Sequence, residues 1–112
     1  MASDEQRRRF ERYRSRLSCS FRDGDTTYQA FATDLSAGGL FLQTRAAIKP
    51  GTKLVINIER DSDPPLVLTG TVARMRKSHR SAVAVTQPGF GFELESAPEA
   101  YFTLVMDVAG KN

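Results

Sequence analysis

Two groups of residues in this chain have the types and spacing to do chemistry on a ligand. The first is an arginine cluster near the N-terminus, with Arg8 and Arg12 four positions apart and Arg7 just before them. Residues 1–16 hold six arginines and no lysine against Asp4, Glu5 and Glu11, whereas residues 17–112 hold ten basic and ten acidic side chains. This arm therefore carries the whole net charge of +3. Arginine in place of lysine favours planar, forked hydrogen bonding to a phosphate or to the O6/N7 edge of a guanine over simple charge attraction. The second group is the run Asp34-Leu35-Ser36-Ala37-Gly38-Gly39, with Asp34 22 positions after Arg12. A carboxylate there suits the donor edge of a guanine, which offers N1-H and N2-H. Ser36 can give a hydroxyl to a phosphate or base, and Gly38 and Gly39 permit unusual backbone angles and close approach of a ligand to main-chain amides. Arm and turn are complementary halves of a site for a phosphate-bearing purine. Each alone has a plainer reading: a solvated, fraying terminus for the arm, and an ordinary strand connection with Asp and Ser turn bonds for the second group.

Arg12 and Arg16 share the same four-residue spacing, but Arg16 adjoins the first strand and is expected to face solvent, so Arg8 and Arg12 are the expected pair. Arg7 is either one more solvated charge or a group able to stack on, or bridge to, a second nucleotide. Arg74, Arg76, Lys77 and Arg80 form a second basic patch, read as a solvated hairpin end, with any contribution to the site left open. His79, between Ser78 and Arg80, reads as a turn residue, and Cys19, alternating with Leu17 and Phe21, as a buried thiol. One histidine and one cysteine assemble no metal cluster, and no phosphate loop or serine-histidine-acid set is present. No catalytic or metal-binding residue is assigned, and an enzyme ranks last.

A single domain of 112 residues must position these groups. Apolar residues make up 40% and mean hydropathy is −0.37, as in a globular, water-soluble chain. The lone cysteine and the charged opening segment imply a cytoplasmic protein, and no window reaches the length of a membrane helix. Strands are predicted over Leu17–Arg22, Tyr28–Leu35, Gly39–Thr44, Lys53–Glu59, Leu66–Arg76, Ser81–Thr86 and Gly89–Glu95, with turns at Asp23-Gly24, Lys49-Pro50-Gly51 and Lys77–Arg80. Ser96 and Glu99 have capping-box spacing, Pro98 suits a first helical turn, and Tyr101, Phe102, Leu104, Val105 and Val108 form an apolar stripe ending at Gly110. The expected fold is mainly β: a small antiparallel barrel of six to seven strands over residues 17–112, closed by a helix at 96–108, behind a flexible arm at 1–16.

The ordered pair of motifs resembles the PilZ family, whose pattern is an RxxxR arm followed some twenty to thirty residues later by a DxSxxG turn on a barrel. The strand Gly89-Phe90-Gly91-Phe92-Glu93 and the closing helix are similar to that family as well. The resemblance implies a receptor for the bacterial second messenger cyclic di-GMP, with no cofactor and no catalysis, binding through Arg7, Arg8, Arg12, Asp34, Ser36, Gly38 and Gly39. An Arg at position 7 implies an intercalated ligand pair, two per chain, and a signal passed to a partner protein in trans. Two other readings share the basic arm: a small β-barrel that binds nucleic acid, and an adaptor that uses the arm for protein contacts. Asp34 separates the first of these from the receptor, because a carboxylate is unfavourable beside a phosphate backbone and useful on a guanine donor edge. The strands also lack the solvent-facing aromatic series that single-strand stacking demands.

Overall fold

Alternation of apolar and polar side chains folds the residues described by the computed structural model, 10–77, 79–80 and 85–111, into eight strands and a helix. The strands are β1 (Tyr13–Asp23), β2 (Thr26–Ser36), β3 (Gly39–Gln43), β4 (Lys53–Ile58), β5 (Leu66–Arg76), β6 (His79–Arg80), β7 (Val85–Thr86) and β8 (Gly89–Ser96), and the helix is α1 (Glu99–Lys111). Six strands close an antiparallel barrel in the order β1-β2-β3-β8-β5-β4, with β4 returning to β1 through pairs such as Phe21↔Ile56. Closure leaves these strands without the free edges that invite aggregation. The β1-β2 hairpin turns on Gly24, whose φ of 63° beside a non-positive Asp25 matches a two-residue loop with glycine first.

Inward residues of all six barrel strands meet in one core that includes Cys19, Phe21, Leu35, Leu42, Ile56, Leu68, Val72 and Phe90. Phe21 packs edge-on to Phe90, with ring centres 5.4 Å apart. Helix α1 packs on β1 and β2 and drives Tyr101 and Val105 into the same core.

Three boundaries differ from those expected. The first strand begins at Tyr13, so residues 13–16 belong to the sheet and not to the arm. Tyr13 and Leu17 pack against the core while Arg14 and Arg16 stay exposed, an alternation that the density of arginines masks in sequence. The expected strand at Ser81–Thr86 is represented by Val85–Thr86 alone, paired with His79–Arg80 in a small separate ribbon, and residues 81–84 lie outside the described residues. His79 and Arg80 are thus strand residues where a turn was expected. The helix starts at Glu99, since Ser96 is still paired with Thr69 in β8 and cannot cap it. Pro98 lies just outside, its carbonyl accepting from the Tyr101 N-H at 2.9 Å. The helix then runs through Gly110 to Lys111, whose charge suits the C-terminal dipole.

Candidate functional site

Strict alternation would send Asp34, Arg74 and Arg76 into the barrel, because each shares parity with buried neighbours: Ala30 and Ala32 on β2, Leu68 and Val72 on β5. Bulges prevent this. The β2-β3 register slips between Ala32 and Asp34, and the β5-β8 register slips between Val72 and Arg74. Each slip adds a residue, Thr33 or Ala73, and turns the following polar side chain outward, as bulges beside binding sites do. A third slip, between Arg14 and Leu17 on β1, lies alongside, and there the Ser15 hydroxyl donates to the Ala32 carbonyl at 2.7 Å.

The result is a continuous outer row across five strands. Arg14 pairs with Asp34, Asp34 with Phe41, Phe41 with Gly91, and Gly91 with Arg74. The row beside it, Leu35, Leu40, Phe92 and Val72, is buried. Gly91 contributes no side chain, and a Cβ added there would meet open space, so the middle of the outer row is a shallow floor. Over it lies an open groove of about 1220 Å³, lined among others by Phe10, Arg12, Asp34, Arg74, Arg76 and Glu93. Arg76 lies over Phe41, its guanidinium carbon 4.0 Å from the ring centre, and its Nε donates to the Gln87 carbonyl at 3.0 Å. Such stacking holds a guanidinium plane in one orientation. Glu95, at the groove's far side, accepts from the Thr71 hydroxyl and lies near Lys53, which together hold its carboxyl below the ordinary value.

Of the expected site residues, Arg12, Asp34, Ser36, Gly38 and Gly39 all line this groove, although 22 positions separate Arg12 from Asp34. Arg7 and Arg8 lie outside the described residues. Arg12 is exposed and Asp34 half-buried. The alternative partner Arg16 lies elsewhere, stacked on Phe31 at 4.1 Å.

One expectation about the turn needs correction. Gly38 and Gly39 are not in unusual backbone conformations: positive φ among the glycines occurs at Gly24 and Gly51. Gly39 is small because the Phe92 carbonyl of β8 occupies the space a Cβ would take. Ser36 is buried, and its hydroxyl accepts from the Gly38 N-H at 3.2 Å and donates to the Gly39 carbonyl at 3.1 Å. In this arrangement the one proton of the Ser36 hydroxyl is used inside the turn, and the side chain shapes the cradle.

The helix is tied to the same turn. The Tyr101 hydroxyl donates to the Ser36 carbonyl at 2.7 Å, with the Gly39 carbonyl at 3.2 Å. Burial pushes its ionisation well above the ordinary tyrosine value. In the sequence Tyr101 belongs to an apolar stripe, which gives no sign of its hydroxyl's partner. Its role rests on a contact spanning 65 positions, for which the sequence carries no local signal. Arg74 and Arg76 were set aside as a solvated hairpin end, and the bulge that aims them at the groove is equally silent in sequence.

Cys19 is fully buried, and desolvation pushes its thiol up to about 12, which keeps it protonated and inert at neutral pH. Among the described residues, no three His, Cys, Asp or Glu side chains are grouped to hold a metal ion. No helix among them is long and apolar enough to cross a membrane.

A closed six-stranded barrel with a capping helix, carrying an arginine and an aspartate turn on one outer groove, defines a small β-barrel binding module. Residues 6–105 match the family model described as the PilZ domain, and the chain belongs to that family. Its fold is similar to the PilZ domain with c-di-GMP of YcgR from Escherichia coli, with a TM-score of 0.75 and 15% identity over 95% of this chain and 94% of that one. It is similar to the inhibitor of motility MotI/DgrA from Bacillus subtilis, with a TM-score of 0.69 and 14% identity over 96% of this chain and 53% of that one. A third likeness is the PilZ domain of CeSA from a cellulose-synthesizing bacterium, at 0.58 and 19% identity over 89% and 96%. The chain thus spans about half of the MotI/DgrA chain. No curated protein sequence matches it.

Proposed function

We propose that this chain is a cytoplasmic cyclic di-GMP receptor, a binding module without catalytic activity, which converts ligand binding into a conformational signal for a partner protein. The observation that carries the reading is the meeting of Arg12 and Asp34 in one groove beneath a PilZ architecture. The ligand offers two phosphates and two guanines. Arg8 and Arg12 supply forks for a phosphate or a guanine O6/N7 edge, and Asp34 accepts from the opposite, donor edge. Ser36, Gly38 and Gly39 form the cradle between them. Arg74 and Arg76 add cationic groups on the opposite wall, and the guanidinium of Arg76, held over Phe41, offers a base a planar partner. Arg7 supports the uptake of two intercalated nucleotides per chain. A nucleic-acid backbone suits the groove poorly, since Asp34, Glu93 and Glu95 would all lie near its phosphates.

Calorimetric titration with cyclic di-GMP, with cyclic di-AMP and GTP as controls, tests this directly. Selective binding is expected, with Arg8→Ala, Arg12→Ala and Asp34→Ala each costing about 1–3 kcal/mol, the worth of one good bidentate contact. Saturation should come at two ligands per chain and move toward one in Arg7→Ala. Unchanged affinity in a folded Arg12→Ala protein would remove the arm from the site, and equal binding of cyclic di-AMP would remove guanine-edge recognition.

A further inference from the structure

Phe10 is the middle residue of the RxxxR segment, two positions after Arg8 and two before Arg12. It takes no part in the core and is 45% exposed. Its ring rests on Gly38, in the turn between β2 and β3. A Cβ added to Gly38 would stand 2.6 Å from the ring's Cδ2 and 2.8 Å from its Cε2, and those ring atoms are the nearest groups it would meet. Nothing else about Gly38 calls for glycine. Its φ is not positive, its N-H donates to Ser36 Oγ, and its carbonyl accepts from the Leu94 N-H at 3.0 Å. The missing side chain at position 38 is the seat of the Phe10 ring.

We propose that Phe10 and Gly38 form an aromatic latch that fixes the middle of the arm at the edge of the groove and so positions the arginines on either side of it. This rests on the cyclic di-GMP reading and deepens it. Phe10 is a positioning residue: it acts through Arg8 and Arg12, whose Cα atoms can lie no more than about 7 Å from its own. A pinned arm keeps the Arg12 guanidinium at the groove, whereas an arm free to wander reduces the apparent affinity by the fraction of time it is docked. The opposite role, a plug that competes with ligand, is disfavoured because the groove keeps its volume of about 1220 Å³ with the ring in place. Because the Gly38 Cβ would collide only with a side chain on the arm, Gly38→Ala displaces the ring and leaves the barrel intact.

Two measurements test the latch. In ligand-free protein the ring current of Phe10 should shift the Gly38 Hα resonance upfield, and the shift should vanish in Phe10→Ala and persist in Phe10→Tyr. Absence of any such change overturns the latch whatever the ligand is. In titrations with cyclic di-GMP, Phe10→Ala and Gly38→Ala should each bind about tenfold more weakly, the effect of ordering one more arm segment on binding. The double variant should bind no more weakly than either single, Phe10→Tyr should bind like the wild type, and ligand-free melting should be unchanged in all four. Tighter binding by Phe10→Ala identifies a plug, and additive losses in the double variant show that the two residues act separately; either result overturns the proposal. A wild type that shows the ring-current shift yet takes up no cyclic di-GMP overturns the receptor reading instead.

Discussion

At the scale of single residues, glycines at equivalent-looking places in the groove do different work. A Cβ at Gly39 would run into the Phe92 carbonyl, a backbone atom of the neighbouring strand that cannot yield without opening the β3-β8 pairing. A Cβ at Gly91 would meet nothing, and its side chain would rise from the centre of the outer row between Phe41 and Arg74. Gly39→Ala should therefore destabilise the barrel by about 1–3 kcal/mol, the usual range for overpacking. Gly91→Val should leave stability within about 0.5 kcal/mol, since valine suits a strand and the space is open. It should nevertheless weaken cyclic di-GMP binding at least tenfold by filling the floor. Denaturant midpoints and titrations separate the two effects. If Gly91→Val binds like the wild type, the ligand does not lie over the row from Asp34 to Arg74.

At the scale of elements, the helix and the turn proposed to bind the ligand share one hydroxyl. Tyr101 reaches from α1 to the carbonyls of Ser36 and Gly39, and removing the hydroxyl leaves those buried acceptors short of a donor. Tyr101→Phe should cost about 1–3 kcal/mol, the penalty for an unsatisfied buried polar group. Because the turn is half of the site, it should also reduce the rise in melting temperature produced by cyclic di-GMP. A full loss of stability with an undiminished ligand response would mean that the helix and the turn are not coupled. The strands themselves were legible in sequence. The alternation of Leu54, Ile56 and Ile58, the Gly24 turn and the Gly89–Phe92 run all lie where pattern places them. The start of the helix was displaced by tertiary pairing, since Ser96 serves β8 before it can serve α1. The arm and turn motifs announced half of the site. The rest depends on bulges at Thr33 and Ala73, and a one-residue slip leaves no mark in composition or periodicity while it reverses which face a side chain takes.

At the scale of the whole molecule, the proposed site is divided between the barrel and a segment that precedes it, and under the proposed function this division is the means of signalling. Tyr13–Arg16 already belong to β1 and the Phe10 ring already rests on Gly38, so any segment that docks only on binding must lie before Phe10. Repulsion among clustered arginines disfavours holding them close together without an anion. Only a ligand that contacts both the arm and the turn gains differentially from the docked form, and so only such a ligand shifts its population. Part of the gross binding energy goes into ordering the arm. The remainder appears as stability, about 2.7 kcal/mol at a hundredfold excess of ligand over its dissociation constant when only the folded state binds. For a chain of this size that corresponds to a rise in melting temperature of roughly 10–20 °C. Hydrogen exchange then locates the change. On addition of cyclic di-GMP, amides from Arg8 to Arg12 and from Asp34 to Gly39 should gain protection together. Those of β1 from Leu17 to Asp23, paired on both sides or in the hairpin, should change little. If the turn gains protection while Arg8 to Arg12 exchange as fast as before, the ligand binds the barrel alone. The arm is then not the moving part that a partner protein reads.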